Sequence, residues 1–122
     1  MMREIKESDW KFLRQFHSVA LERFSEKILL EIQRIDADSA KSFHQRYLDI
    51  FEVLRGRDKE MAQVFDGLRR STAFIQLASM KNRGLLTGDD FLCFSEETRD
   101  AVDLMLGEGR STGSKRTNPK GS

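Results

Sequence analysis

Residues 40–75 read AKSFHQRYLDIFEVLRGRDKEMAQVFDGLRRSTAFI. Within them Ala40, Phe43, Tyr47, Ile50, Leu54, Met61, Phe65, Leu68, Thr72 and Ile75 form a stripe with steps of three or four residues and a single lapse. That spacing lines side chains up on one face of an α-helix. The lapse falls at Arg57–Asp58, beside Gly56. A helix from near Ser39 to about Arg83 is expected, kinked or interrupted at this polar step. A straight rod of that length would outrun the shorter helix before it and leave its far half unsupported.

Upstream, Ser8 or Asp9 is placed to cap a first helix. Its apolar positions are Trp10, Leu13, Phe16, Ala20, Phe24, Ile28, Ile32 and Ile35. Phe12, Val19, Leu21, Leu29 and Leu30 widen that face, which predicts more than one neighbour. Asp36-Ala37-Asp38-Ser39 ends the helix, and so short a link returns the next one antiparallel. Downstream, Gly84 is a left-handed terminator. Thr87 caps a short helix through Phe91, Leu92 and Cys93. Ser95 caps a last one, with Glu96 and Glu97 favoured in its first turn. Ala101, Val102, Met105 and Leu106 form its buried face, and Gly107 stops it. No stretch alternates with period two, so no strands are expected. The expected fold is all-α with four or five helices, a long antiparallel helical hairpin carrying shorter C-terminal helices. It forms a single domain over residues 1–107. Residues 108–122 lack apolar side chains and are expected to be a disordered basic tail.

The formal net charge of +1 hides a pattern. Residues 39–84 hold nine basic and five acidic side chains, whereas residues 85–109 hold one and seven. The acidic stretch is expected to lie against the basic middle, and a permanent nucleic-acid binder would carry a larger uncompensated excess. The single cysteine excludes an internal disulfide and fits a reducing compartment. The first ten residues show no apolar signal-peptide core, and no apolar run is long enough to span a membrane. A cytoplasmic location is expected, without membrane attachment.

Chemistry-bearing motifs are sparse. Carboxylate-bridged metal sites in bundles use Glu-x-x-His pairs, but Arg14 and Lys41 stand three residues before His17 and His44. There is no His-Glu-x-x-His, Cys-x-x-Cys, phosphate-binding glycine loop or nucleophile elbow. No metal, cofactor or catalytic residue is expected. Cys93, inside Phe91-Leu92-Cys93-Phe94, reads as a small core hydrophobe rather than an activated thiol.

Three groups of residues remain as candidates. Folding the hairpin about residues 37–38 sets His17 opposite Asp58 and Glu31 opposite His44, with Arg57 nearby. His17, Arg57 and Asp58 would then form a small polar site or a layer fixing helix register, unless Arg57 and Asp58 lie in a loop. Arg69, Arg70, Lys81 and Arg83 form a basic cluster suited to an anion or nucleic acid, or simply a solvated face. Phe12, Phe16, Val19 and Leu30 belong to the surplus width of the first helix. They read as a partner surface, unless later helices cover them.

The strings Ile5-Lys6-Glu7-Ser8-Asp9-Trp10-Lys11, Ala20-Leu21-Glu22-Arg23-Phe24, Arg69-Arg70-Ser71-Thr72 and Glu97-Thr98-Arg99 resemble those of a group of short, uncharacterised bacterial helical proteins. The resemblance covers residues 5–106 and implies a bacterial cytoplasmic setting, with no activity or site attached. The expected function is a non-enzymatic helical interaction or regulatory protein. It would act through apolar helix faces on a protein partner or on itself as a homodimer. The alternative is nucleic-acid association through the basic helix surface and tail.

Overall fold

A computed structural model describes residues 4–107. The expected tail, 108–122, lies outside the described residues. Helix α1 spans Glu7–Asp36 and α2 spans Phe43–Phe65. A 3-10 turn at Arg70–Thr72 leads into α3 (Ala73–Asn82), followed by α4 (Gly88–Leu92) and α5 (Glu96–Met105). The fold is all-α, a long hairpin with shorter C-terminal helices packed on it, and no strand occurs among the described residues.

The hairpin turn is held by side chains that satisfy its loose backbone groups. Asp38 accepts from the Ala40 N–H at 3.1 Å, and Ser42 Oγ accepts from the Gln45 N–H at 3.1 Å. Arg46 reaches back to donate to the Asp36 carbonyl at 2.7 Å and the Lys41 carbonyl at 3.2 Å. It thereby satisfies the Asp36 carbonyl that the end of α1 leaves open and one carbonyl of the turn. Ser42, rather than Ser39, is therefore the cap of α2, because residues 37–41 are used up in the turn. At the other end of α1 the N-cap is Lys6, without a side-chain cap.

The interruption of the second helix falls after Phe65, not at Arg57–Asp58. Helix α2 runs straight through that polar step, because Arg57 finds carboxylates on its own helix and on α1. The chain turns at Asp66-Gly67 instead, where Gly67 has φ +71° in the left-handed region that glycine adopts without steric penalty. Gln76 then ties the break together, donating to the Asp66 carbonyl and accepting from Thr72 Oγ1.

The core lies at one end of the hairpin. From α1 it takes Leu13, Phe16, Ala20, Phe24 and Ile28, in near-perfect helical period. From α2 it takes only Val64 and Phe65. The rest comes from Ile5, just before α1, and from Ala73, Leu77, Ala78, Met80, Leu85, Phe91, Phe94 and Val102 in the later helices and their links. Each fully buried large side chain contributes roughly 1.5–3 kcal/mol. Phe12, Phe16 and Phe91 all place their rings against Phe94, at 6.1, 5.8 and 6.4 Å between centroids. In the short α4 and the turn after it, Phe91 and Phe94 point inward and leave Leu92 and Cys93 outside. The expectation of a core cysteine is thus corrected: Cys93 is exposed.

Candidate interaction surface

Beyond this globular head, the second half of α1 and most of α2 continue as a two-helix arm. Before Val64, no residue of α2 is buried. The apolar stripe of the sequence divides here into two rows. Ile50, Val53, Arg57 and Met61 are half-buried and face α1. Phe43, Tyr47, Leu48, Phe51 and Leu54 form an outer row, between 41% and 83% exposed. Both rows have helical spacing, so the sequence pattern merges them, and only the position of α1 separates them.

On one flank the outer row continues into a shallow groove of about 230 Å³ between the helices, lined by Ile28, Leu29, Leu54 and Met61 among others. Polar side chains lie across its aromatic rings. His44 stacks on Tyr47 with centroids 5.9 Å apart, and Arg46 sits 4.6 Å over Phe43. Arg55 lies 5.9 Å over Phe51 while pairing with Glu52 at 2.8 Å. Exposed apolar surface of this extent on one helix is characteristic of a contact site.

The opposite flank is polar, with a cleft of about 530 Å³. Arg57 is the hub, donating to both oxygens of Glu31 at 3.0 and 3.2 Å and to Glu60 at 2.9 Å. The Glu31 and Glu60 hydrogen bonds raise its already high pKa further, against the opposing effect of burial. Arg83 approaches Glu60 at 3.6 Å, and Lys27 donates to the Arg83 carbonyl at 3.1 Å.

The sequence-predicted residues end up in different places. His17, Arg57 and Asp58 do not meet: the hairpin pairs further along α2 than expected, because its turn is longer. His17 donates through Nε2 to the Phe65 carbonyl at 2.9 Å, Arg57 takes Glu31, and Asp58 is exposed. The proposed partner face on α1 is likewise corrected. Phe16 is buried in the core, and Phe12 and Val19 pack half-buried against it, since the C-terminal helices cover this width. Leu30 alone of that set stays exposed. The basic cluster is dispersed and largely compensated. Arg70 pairs with Glu7 at 2.7 Å and lies over Trp10, Lys81 pairs with Asp103 at 3.0 Å, and Arg83 faces Glu60. Arg69 is exposed.

Asp9 is the structurally important polar residue that sequence reading assigned elsewhere. It is 1% exposed and accepts from the Ser95 N–H at 2.9 Å, Ser95 Oγ at 2.6 Å and Thr98 Oγ1 at 2.7 Å. It thus fastens α1 to the N-terminus of α5, where a negative charge is favoured. Burial pushes its carboxyl up, but the hydrogen bonds from Ser95 and Thr98, with the charge of Lys6, prevail and hold it below the ordinary value. Arg23 makes a second fastening, donating to the Leu85 carbonyl at 2.8 Å and to Asp90 at 2.6 Å.

Among the described residues, no three His, Cys, Asp or Glu side chains gather as a metal ion would require, and no helix is long and apolar enough to cross a membrane. No protein-family model matches the chain, and neither a curated protein nor a solved structure does.

Proposed function

We propose that the protein is a non-enzymatic interaction protein whose working surface is the outer face of α2, where it takes an amphipathic helix from another chain. The row Phe43, Tyr47, Leu48, Phe51 and Leu54 carries this reading. These side chains are largely apolar, lie on one helix and stay exposed, their rings touched only by polar side chains of the same helix. Grooves and faces of this kind bind helices through residues spaced three and four apart. The charged α1 flank and the aromatic rings would set which helices fit. Nucleic-acid association has less support, because Arg70, Lys81 and Arg83 are each met by a carboxylate of the same chain.

A double substitution, Tyr47→Ser with Phe51→Ser, tests the proposal. Helical circular dichroism should be unchanged and the Tm should move by no more than about 2 °C, since neither side chain supports the core. Placed in the native host instead of the natural chain, at the same protein level, the variant should reproduce the phenotype of a deletion. A folded variant that behaves as wild type in the host would overturn the proposal.

A further inference from the structure

The outer row of α2 is ordered symmetrically about Phe51. Three residues to either side stand Leu48 and Leu54. Four residues away stand Tyr47 and Arg55, at seven His44 and Asp58, and at eight Phe43 and Lys59. Offsets of three, four, seven and eight all fall on one helix face. The two leucines mirror each other about Phe51, and each ring of the N-terminal half stands opposite a charged residue of the C-terminal half. Aromatic rings lie toward the N-terminal end, and cations and a carboxylate toward the C-terminal end.

Such a face fits itself under one symmetry operation. Two α2 helices laid antiparallel with Phe51 on a two-fold axis bring every residue of one half against the opposite half of the partner copy. Leu48 then meets Leu54, Tyr47 meets Arg55, His44 meets Asp58, and Phe43 meets Lys59. Apolar residues meet apolar ones, the guanidinium and ammonium groups meet aromatic rings, and the imidazole meets a carboxylate. A parallel pairing would instead set Arg55 against Arg55, Asp58 against Asp58 and Lys59 against Lys59, repelling along the C-terminal half of the face. Asp58 and Lys59 are exposed and form no ion pair among the described residues, while His44 and Arg55 are held on the same face by Tyr47 and by Glu52. Arg55 already projects over the ring of Phe51 at the centre of the face.

We infer, resting on the reading of this face as the interaction surface, that the helix it takes is α2 of a second copy of the chain, crossed antiparallel at Phe51. From Phe43 to Lys59 the contact runs about 24 Å at 1.5 Å per residue. A contact of one helix face over that length is a small one, so the dimer is expected to be weak and dependent on protein concentration.

Cysteine cross-linking of the full chain in a Cys93→Ser background tests the geometry. The double variant Leu48→Cys/Leu54→Cys should oxidise rapidly to a covalent dimer, and so should Phe51→Cys. Leu48→Cys alone and Leu54→Cys alone should not, because each thiol is far from its own copy across the axis. Within one chain, positions 48 and 54 lie about 9 Å apart along the helix, too far for an internal disulfide. Separately, Asp58→Lys should weaken dimerisation in sedimentation equilibrium several-fold, and adding His44→Glu should restore it. Circular dichroism checks that each exposed-face variant is folded. Efficient cross-linking of the two single variants would show a parallel or shifted pairing and overturn the inference, leaving the interaction surface itself standing. A wild-type chain that sediments as a 14.2 kDa species at high micromolar concentration would remove the second copy as partner. The host experiment above would still decide whether the face serves another helix.

Discussion

The head and the arm of this molecule are made from the same two helices, yet they are held together differently. In the head, α1 and the end of α2 bury Leu13, Phe16, Phe24, Val64 and Phe65 against three further helices. In the arm, the same helices have only each other, and their contact is stitched by Arg57 with Glu31, and by Arg46 at the turn. Two helices cannot cover each other on all sides, so an apolar residue on the outer side of α2 has nothing to pack on. The head closes because α3, α4 and α5 supply the missing sides. The arm is the part of the fold left open, which is why the candidate interaction surface is found there.

Removing one ring from each region puts this contrast to its most severe test. Phe94→Ala, at a position 2% exposed and touching three other rings, should destabilise by about 3–5 kcal/mol. Phe51→Ala in the arm should change the stability of the monomer by no more than about 0.5 kcal/mol. Chemical denaturation of both variants at low protein concentration measures the difference, and equal losses would mean that the arm is packed as the head is.

Next in size is the fastening of α5. Asp9→Ala should cost about 2–3 kcal/mol, because it leaves the buried Thr98 hydroxyl and the Ser95 N–H without their acceptor. The carboxyl is held below its ordinary value in the folded chain, and the unfolded chain has that ordinary value, near 4. Its contribution is therefore complete above about pH 4 and is lost as the pH falls through the lower, folded value. Denaturation curves between pH 2 and pH 6 should show this loss in the wild type and a flatter dependence in Asp9→Asn.

Glycine substitutions probe the backbone of the two regions at smaller amplitude. Gly56 lies within α2, and a methyl group added there would meet only open space, so Gly56→Ala should stabilise the arm by about 0.5–1 kcal/mol. Gly67, at φ +71° in the turn toward the head, should lose about 1 kcal/mol on the same change. A pair of thermal melts gives the two signs. Arg57→Gln should cost a similarly small amount, about 0.5–1 kcal/mol, since the ion pairs it breaks are a third exposed and screened by solvent.

Much of the fold was legible in the residues themselves. The periodicity of Leu13, Phe16, Ala20, Phe24 and Ile28 marked the buried face of α1, and Gly84, Thr87, Ser95 and Gly107 marked helix ends where the structure has them. These are local matters: a positive φ, a hydroxyl within reach of a free N–H, a repeat near 3.6 residues. The polar step at Arg57–Asp58 misled because a gap in an apolar stripe says only that the side chains there are charged. Whether the backbone turns depends on whether those charges find partners, and Glu31 lies 26 residues away. Asp9 misled in the opposite way. Its position in the first turn suited a cap, but the groups that donate to it lie at the start of α5, more than 80 residues on.

Residue order alone was enough to make the chain helical, to place its helix ends approximately, and to fold the first two helices into a hairpin. Those properties follow from interactions within a few residues, which any stretch of chain carries with it. Which apolar faces are covered was settled by tertiary packing. Phe12, Phe16 and Val19 step by four and three residues, as Tyr47, Phe51 and Leu54 do, and both sets run aromatic, aromatic, aliphatic, yet the first set is packed and the second is exposed. The difference is where α3, α4 and α5 dock. That is set by the turn at Gly67 and by the Asp9 and Arg23 fastenings, contacts between residues that only the folded chain brings together.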